Sequence, residues 1–458
     1  MTSPNLAKEF QTGTLLKTTQ SLCPNCLQSI EAEVYTRDNQ VWMDKTCPDC
    51  GPYSAILAND AKSYLLAPKA TGSCGCSSGG CGSAIDNHSC TLMIEITQQC
   101  NLTCPTCYAA SSPNNHDFLS FDDYAALLDK LLIANHGDAD VLQISGGEPT
   151  LHPRLFDMID LAHSKGFKQV YLNTNGIKLS SERYAEQLSK LSKPPQIYLQ
   201  FDGIKTSTYI ELRGKDNLYQ VKSKALANCE RFGLETIPIM TLTRGINDDE
   251  IADFLQIAQT SKAVNKVMIQ PAMYSGRYVN PRRLDRLTLS ETIKQISDQS
   301  EVFSEEDFCP IPCGDPNCFR MALAIRGEDR LIPISRYFPP YEEWQKSETA
   351  AKLDSVTDTF DSSEALAEVM SWALQSEALK SLSEDEVDDL LGAVANVSSK
   401  KGQDGWQGLF AIGIKPFMDA YTYDQDRIDG CCTHIASRDG TPISFCQYNA
   451  INRPQGKL

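Results

Sequence analysis

No lysine- or arginine-rich run occurs anywhere in the 458 residues, and the formal net charge is −17. A protein whose main work is gripping a phosphate backbone needs a basic footprint, so nucleic acid is not an expected partner. The chain also lacks the roughly 18 consecutive apolar residues that a membrane span requires. Its first residues, "MTSPNLAKEFQTGTLL", hold no apolar core of signal-peptide length. Internal repeats are absent as well. These absences predict a cytoplasmic protein with no transmembrane segment, long enough for two or three domains.

What the sequence has in excess is cysteine. Of the 18 present, only Cys229, in the amphipathic stretch "KALANCERFG", stands alone; it reads as a buried core thiol. The others are clustered. In a chain without a secretion signal, clustered cysteines point to metal ligation or catalysis more than to disulfides.

The clusters divide the chain. Residues 1–70 are built around "CPNC" and "CPDC", and 71–90 form a Gly/Ser/Cys-rich connector too poor in apolar residues for a core element. From 91 to 300, six short apolar runs (92–96, 141–145, 169–174, 196–201, 236–241 and 266–270) alternate with helical patterns such as "FDDYAALLDKLLIAN". Strand and helix repeated six times predict an α/β unit of parallel βα modules, either a partial barrel or an open doubly wound sheet. Residues 301–458 carry further cysteines around an acidic helical insert at 341–405, where "LSEDEVDDLLGAVANV" has helical spacing. That insert reads as a packing or lid element.

Three thiols crowd into "CNLTCPTCY", directly after the first strand, where the active-site loops of βα barrels lie. A [4Fe–4S] cube takes one ligand per iron. Cys100, Cys104 and Cys107 can hold three irons and leave the fourth open to a chelating small molecule. The competing readings are a zinc knuckle lacking a ligand and a disulfide with a spare thiol.

The CxxxCxxC spacing followed by an aromatic residue, Tyr108, resembles the signature of the radical S-adenosylmethionine (SAM) superfamily. "SGGEPTL" after the second strand is similar to that family's GGE segment. The resemblance implies a partial (β/α)6 barrel and reductive cleavage of SAM to a 5′-deoxyadenosyl radical that takes hydrogen from an unactivated carbon. It also implies cofactor contacts at Gly146 and Gly147, where backbone can approach closely, and at Glu148, able to accept from the methionine amine. Thr174 and Asn175 in "LNTNG", Gln200 and Asp202 in "QFDG", Arg213 in "ELRGKD" and Gln270 in "IQPAMYSGR" complete the expected set.

Cys23, Cys26, Cys47 and Cys50 form two CxxC knuckles with the spacing of a four-cysteine metal site, for zinc or a single rubredoxin-like iron. Cys74, Cys76, Cys81 and Cys90 can ligate an auxiliary cluster. Cys309, Cys313, Cys318, Cys431, Cys432 and Cys446 are expected to close around another, which leaves two thiols over; Cys313, Cys318 and Cys446 are the favoured ligands. The ensemble, with "YLQFDG" and "FMDAYTYDQDRIDGCCTH", resembles the branch containing tetraether lipid synthase and a 7,8-dihydro-6-hydroxymethylpterin methylase. The cysteine spacing at 74–90 and the acidic insert depart from that branch. The reading favoured on this basis is carbon–carbon bond formation on a lipid chain, with an electron donor as partner. Methylation of a small heterocycle such as a pterin is the alternative, and a multi-cluster electron carrier a remote one. A long apolar channel would mark the first, and a short pocket with several polar groups the second.

Overall fold

The computed structural model describes residues 13–65, 89–278, 285–310, 315–327, 330–339, 343, 371–372, 384–399 and 408–454. Cys74, Cys76, Cys81, Cys313 and most of the 341–405 insert lie outside the described residues. A helix does run through Glu384–Ser399, within the stretch read as helical.

The N-terminal unit is a four-stranded antiparallel sheet in the order β1–β2–β3–β4 (Thr14–Leu22, Ser29–Arg37, Gln40–Cys47, Gly51–Ala58). Its small core holds Val34, Val41 and Met43, all fully buried. One CxxC pair lies in the turn between β1 and β2 and the other spans the end of β3 and the turn into β4, so the sheet register itself brings the two knuckles together.

The main sheet begins with β5 (Thr91–Glu95), β6 (Val141–Ser145), β7 (Gln169–Thr174), β8 (Gln196–Gln200), β9 (Thr236–Leu242) and β10 (Lys266–Pro271). These strands pair in parallel in chain order and coincide with the six apolar runs. Parallel strands covered on both faces are apolar along most of their length, and every residue of β6 is buried. One face packs under the connecting helices, where Leu142, Ile144 and Leu172 meet Leu128, Leu131, Met158 and Ile159. Cys229 is fully buried in this layer, on the helix Leu218–Arg231.

Beyond the six units, the C-terminal segment adds more strands: β11 (Cys309–Pro310), β12 (Arg320–Arg326), β13 (Leu331–Pro333), β14 (Leu409–Ile414), β15 (Thr433–Ala436) and β16 (Pro442–Ser444). Of these, β14 pairs in parallel with β10, and β15 pairs in parallel with β5. The parallel portion therefore has eight neighbouring strands, flanked by the antiparallel β12 and β16. The two added strands sit at opposite edges of the partial barrel, and Lys415 Nζ reaches from the end of β14 to Thr433 Oγ1 on β15 at 2.9 Å.

Candidate active site and metal centres

Side chains two residues apart on a strand face the same way. Reading the inward set from each strand's N-terminal end gives Val141, Gln143, Ser145; Tyr171, Asn173; Tyr198, Gln200; Ile239, Thr241; and Met268, Gln270. Each series starts apolar or aromatic and ends polar. The lower layer forms one cluster of Val141, Tyr171, Ile237, Ile239 and Met268 with Tyr198 and Phe319 packed on it. Above it opens a cavity of about 250 Å³.

The Cys100, Cys104 and Cys107 side chains all line this cavity, as do Tyr108, Gly146, Gly147, Glu148, Thr174, Asn175, Gln200, Arg213 and Gln270. Asp202 does not. It is fully buried behind the wall, where it accepts from Arg213 Nε at 2.7 Å, Arg213 Nη2 at 2.5 Å, Gln200 Nε2 at 2.7 Å and Thr241 N at 3.2 Å. A carboxylate in that position fixes the direction of two lining side chains. Burial works against the Arg213 charge, but Asp202 outweighs it and holds the guanidinium above its ordinary value.

The two glycines are small for the sake of the cysteine loop. A Cβ on Gly146 would stand 2.2 Å from Thr97 O, and one on Gly147 2.2 Å from Gln99 O. The segment instead lies along residues 97–99, with Gly147 N donating to Thr97 O and Glu148 N to Gln99 O, both at 2.8 Å. Glu148 is buried. Its Oε1 accepts from Thr150 N, Thr150 Oγ1 and Thr174 Oγ1, and its Oε2 from Asn175 N at 2.8 Å. One acceptor position on Oε2 is left for a ligand. Burial pushes this carboxyl up, against those hydrogen bonds.

Two cations escaped the sequence reading. Arg277, in "YSGR", clasps the cysteine loop: Nε donates to Cys104 O at 3.0 Å, Nη2 to Ser111 O at 2.6 Å, and its backbone N–H to Cys107 O at 3.0 Å. The signal was present in the motif, but nothing local says that its arginine turns back to a loop near the start of the barrel. Lys222 is fully buried and donates to Asn175 O at 3.0 Å and Gln200 O at 2.6 Å, tying together the ends of β7 and β8. Burial lowers it to about 8.

The three loop thiols suit a metal cluster on their own chemistry. Burial pushes Cys100 up to about 12 and raises Cys104. Desolvated thiols that line one cavity gain most from a cationic cluster that binds them as thiolates.

In the N-terminal sheet, the sulfur atoms of Cys23, Cys26, Cys47 and Cys50 all lie within 4.8 Å of one another. That is the spread of a closed tetrahedral site. Asn25 Nδ2 donates to Cys50 Sγ at 3.3 Å.

The C-terminal thiols separate into groups. Burial raises Cys318, Cys431 and Cys446, the second to about 11 and the third to about 12; Cys446 also feels the charge of Cys431 and Cys318, and Cys431 that of Cys432 and then Cys318. Each also receives an N–H: Arg427 Nη2 on Cys318 at 3.1 Å, Thr433 N on Cys431 at 3.4 Å and Met418 N on Cys446 at 3.3 Å. Cys309 lies elsewhere, donating to Ser335 O at 3.4 Å beside Arg320 and Asp307. Cys432 sits beside Cys90, because Thr433 stands opposite Thr91 and Thr91 N donates to Cys432 O.

A three-thiol loop and a GGE segment at the mouth of a partial βα barrel define a class, and comparison with known proteins agrees with it. The radical SAM superfamily model matches residues 94–258, and an HMPTM N-terminal zinc ribbon domain model matches 15–59. The chain belongs to the radical SAM superfamily. It is 30% identical, over 96% of its length and 94% of the relative's, to a 7,8-dihydro-6-hydroxymethylpterin dimethyltransferase of Methanocaldococcus jannaschii. It is 28% identical to a GTP 3′,8-cyclase of Moorella thermoacetica over 54% of this chain and 74% of that one. Among solved structures, SuiB of Streptococcus suis bound to S-adenosylmethionine matches with a TM-score of 0.36 at 16% identity, covering 43% of this chain and 44% of that one. Among the described residues, no helix is long and apolar enough to cross a membrane.

Proposed function

We propose that the protein is a radical SAM methyltransferase acting on a small, polar nitrogen heterocycle of the pterin class. One observation carries this choice. The inward side chains Gln143 and Asn173 line the cavity, above the parallel rings of Tyr171 and Tyr198. A flat ring satisfies amides at its edge and rests a face on tyrosine. A lipid chain would offer no donor to the cavity-facing Gln143 carbonyl, whose amide nitrogen is bonded to Asn173. The lipid-chain reading favoured by the sequence therefore gives way to its alternative, in line with the name of the M. jannaschii relative.

When bound, a [4Fe–4S] cluster with one iron left open supplies the electron that cleaves SAM to a 5′-deoxyadenosyl radical. Cys100, Cys104 and Cys107 would hold that cluster, and Arg277 keeps their loop in place. Glu148 Oε2, Thr174, Asn175, Gln200, Arg213 and Gln270 orient the cofactor, with Asp202 and Lys222 positioning that wall from behind. The ring of Tyr108, edge-on to Phe445, helps exclude water from the reacting atoms. Cys318, Cys431 and Cys446, with Cys313, would hold one auxiliary cluster. Cys90 and Cys432, with thiols from 74–81, would hold another. Cys23, Cys26, Cys47 and Cys50 would hold a structural zinc. We place the enzyme in the cytoplasm, served by a reduced electron-transfer protein.

The test is anaerobic turnover of the reconstituted protein with SAM, dithionite and 7,8-dihydro-6-hydroxymethylpterin. Methylated pterin together with 5′-deoxyadenosine is expected, and neither from Cys104→Ala. Turnover of a phospholipid with the pterin left untouched would overturn the assignment.

A further inference from the structure

Three cations line the cavity among the described residues: Arg213, Arg277 and Lys415. The first two are committed. Arg213 is paired to Asp202, and Arg277 spends its guanidinium on backbone carbonyls of the cysteine loop. Lys415 is differently placed. Its backbone N–H continues the β14–β10 pairing by donating to Ile269 O at 3.1 Å, which aims the side chain across the seam between the two sheet edges. There Nζ donates to the Thr433 hydroxyl at 2.9 Å and stands 5.9 Å from the Phe417 ring centroid. An ammonium has three donors, and a neutral hydroxyl occupies one.

The surroundings describe what the other donors meet. Thr91, Met93, Phe417, Thr433 and Phe445 line the cavity around Lys415, with Gln143 and Asn173 on the same inward face of neighbouring strands. Phe417 and Phe445 pack with centroids 4.2 Å apart. Gln143 Nε2 donates to Asn173 Oδ1 at 2.6 Å, and Asn173 Nδ2 to Ser145 Oγ at 3.2 Å. That chain of amides leaves the Gln143 carbonyl as an acceptor for a ring N–H. A cation and an amide acceptor that line one cavity with aromatic and apolar walls suit an oxo-substituted ring whose carbonyl and ring N–H both need partners.

We propose that Lys415 is a specificity-determining residue that donates to a ring carbonyl oxygen of the substrate, with Gln143 accepting from the neighbouring ring N–H. This rests on the heterocycle reading above and deepens it: the substrate is an oxo-substituted ring whose lactam edge faces the β14–β15 seam. Lys415 also lies close enough to Cys318 and Cys431 to favour their thiolates, so the experiment separates recognition from support of that thiol group.

Binding of 7,8-dihydro-6-hydroxymethylpterin, and of an analogue lacking the ring carbonyl, is measured anaerobically on reconstituted wild type, Lys415→Met, Lys415→Arg and Thr433→Val. Lys415→Met is expected to weaken the pterin about 10- to 100-fold, the range for a charge-assisted hydrogen bond. Lys415→Arg should recover part of that loss, and Thr433→Val should change it little. The analogue should bind wild type and Lys415→Met equally, while iron content and SAM affinity stay unchanged. Equal pterin binding by wild type and Lys415→Met would overturn the inference and leave the heterocycle reading standing. So would a loss that falls equally on pterin and analogue, or one shared with Thr433→Val alongside a common drop in melting temperature or iron. Failure of wild type itself to bind the pterin, with binding of phospholipid instead, would overturn both.

Discussion

Replacing Lys222 with methionine tests whether the wall behind the cofactor is held by a buried amine. Lys222 Nζ donates to the carbonyls of Asn175 and Gln200, whose side chains line the cavity. Losing it leaves two buried carbonyls short of a donor, about 2–3 kcal/mol together. Against that stands a charge penalty. Burial, only partly countered by Asp202, lowers the amine from 10.5 to about 8, on the order of 3 kcal/mol at neutral pH. The two nearly cancel there, so the variant should be almost as stable as wild type. Their balance shifts with pH. Between about 8 and 10.5 the unfolded chain holds a proton on Lys222 that the folded one has released, so wild-type stability rises with pH through this window. From about pH 8 to about pH 9.5 the gap between wild type and Lys222→Met should open by about 2 kcal/mol. Urea unfolding under anaerobic conditions at the two pH values reads that difference directly. A gap that is constant or closes as pH rises would refute the reasoning, and SAM affinity equal to wild type would show that the two strand ends need no tie.

Three further outcomes follow from single contacts. Asp202→Asn strips the partner from a buried arginine, a change that costs about 3–5 kcal/mol where the remaining charge stays buried; a lower melting temperature with SAM affinity reduced at least tenfold is expected by calorimetry. Gly147→Ala forces a methyl against the Gln99 carbonyl, so about 3 kcal/mol of strain falls on the cysteine loop, and reconstituted protein should carry fewer irons while the metal of the N-terminal four-cysteine site is retained. Cys318→Ala should remove the iron of one auxiliary cluster and Cys309→Ser should remove none, as counted by Mössbauer spectroscopy; equal losses would mean that the grouping of Cys318 with Cys431 and Cys446 is wrong.

The parts legible in the sequence were those written locally. Each of the six βα strands announced itself as an apolar run, because a parallel strand buried on both faces has few polar positions. The three-cysteine loop and the two CxxC knuckles were legible for a related reason, since ligand spacing reflects the size of the metal group. Long-range geometry was not. "LFAIGI" at 409–414 is as apolar as β6, yet nothing in it says that it pairs with β10, far earlier in the chain. Asp202 sits in a motif that suggests a cofactor contact, and only the fold shows its carboxylate turned toward Arg213. The six C-terminal cysteines had no order in the sequence; the register of β15 against β5 sets the Cys432 backbone beside Cys90 while its thiol still faces that of Cys431. One signal was read only in part: Gln200 and Gln270 were singled out, but "VLQIS" and "QVYLNT" likewise place a polar residue, Gln143 and Asn173, at an inward position near the strand's C-terminal end.

That polar ending connects the two ends of the chain to the chemistry. Six βα units alone would leave the cavity open along one side, at the seam. The segment from β14 to β15 fills it, and this one stretch carries Lys415, Phe417, Cys431 and Cys432. The N-terminal sheet fastens the same stretch. Lys17 and Thr19 bond Asp424 at 2.6 and 2.8 Å, Ser21 donates to Tyr423 O, and Lys45 donates to the carbonyls of Ala420 and Tyr421. Asp424 is fully buried, so these are contacts of a closed interface and not of a mobile tether. A metal closing the four-cysteine site would therefore stiffen the loop that carries the cavity's far wall, at a distance from any reacting atom. On this argument the knuckle domain would act on the reaction through the position of residues 415–433, and a redox-inert ion would serve there as well as iron.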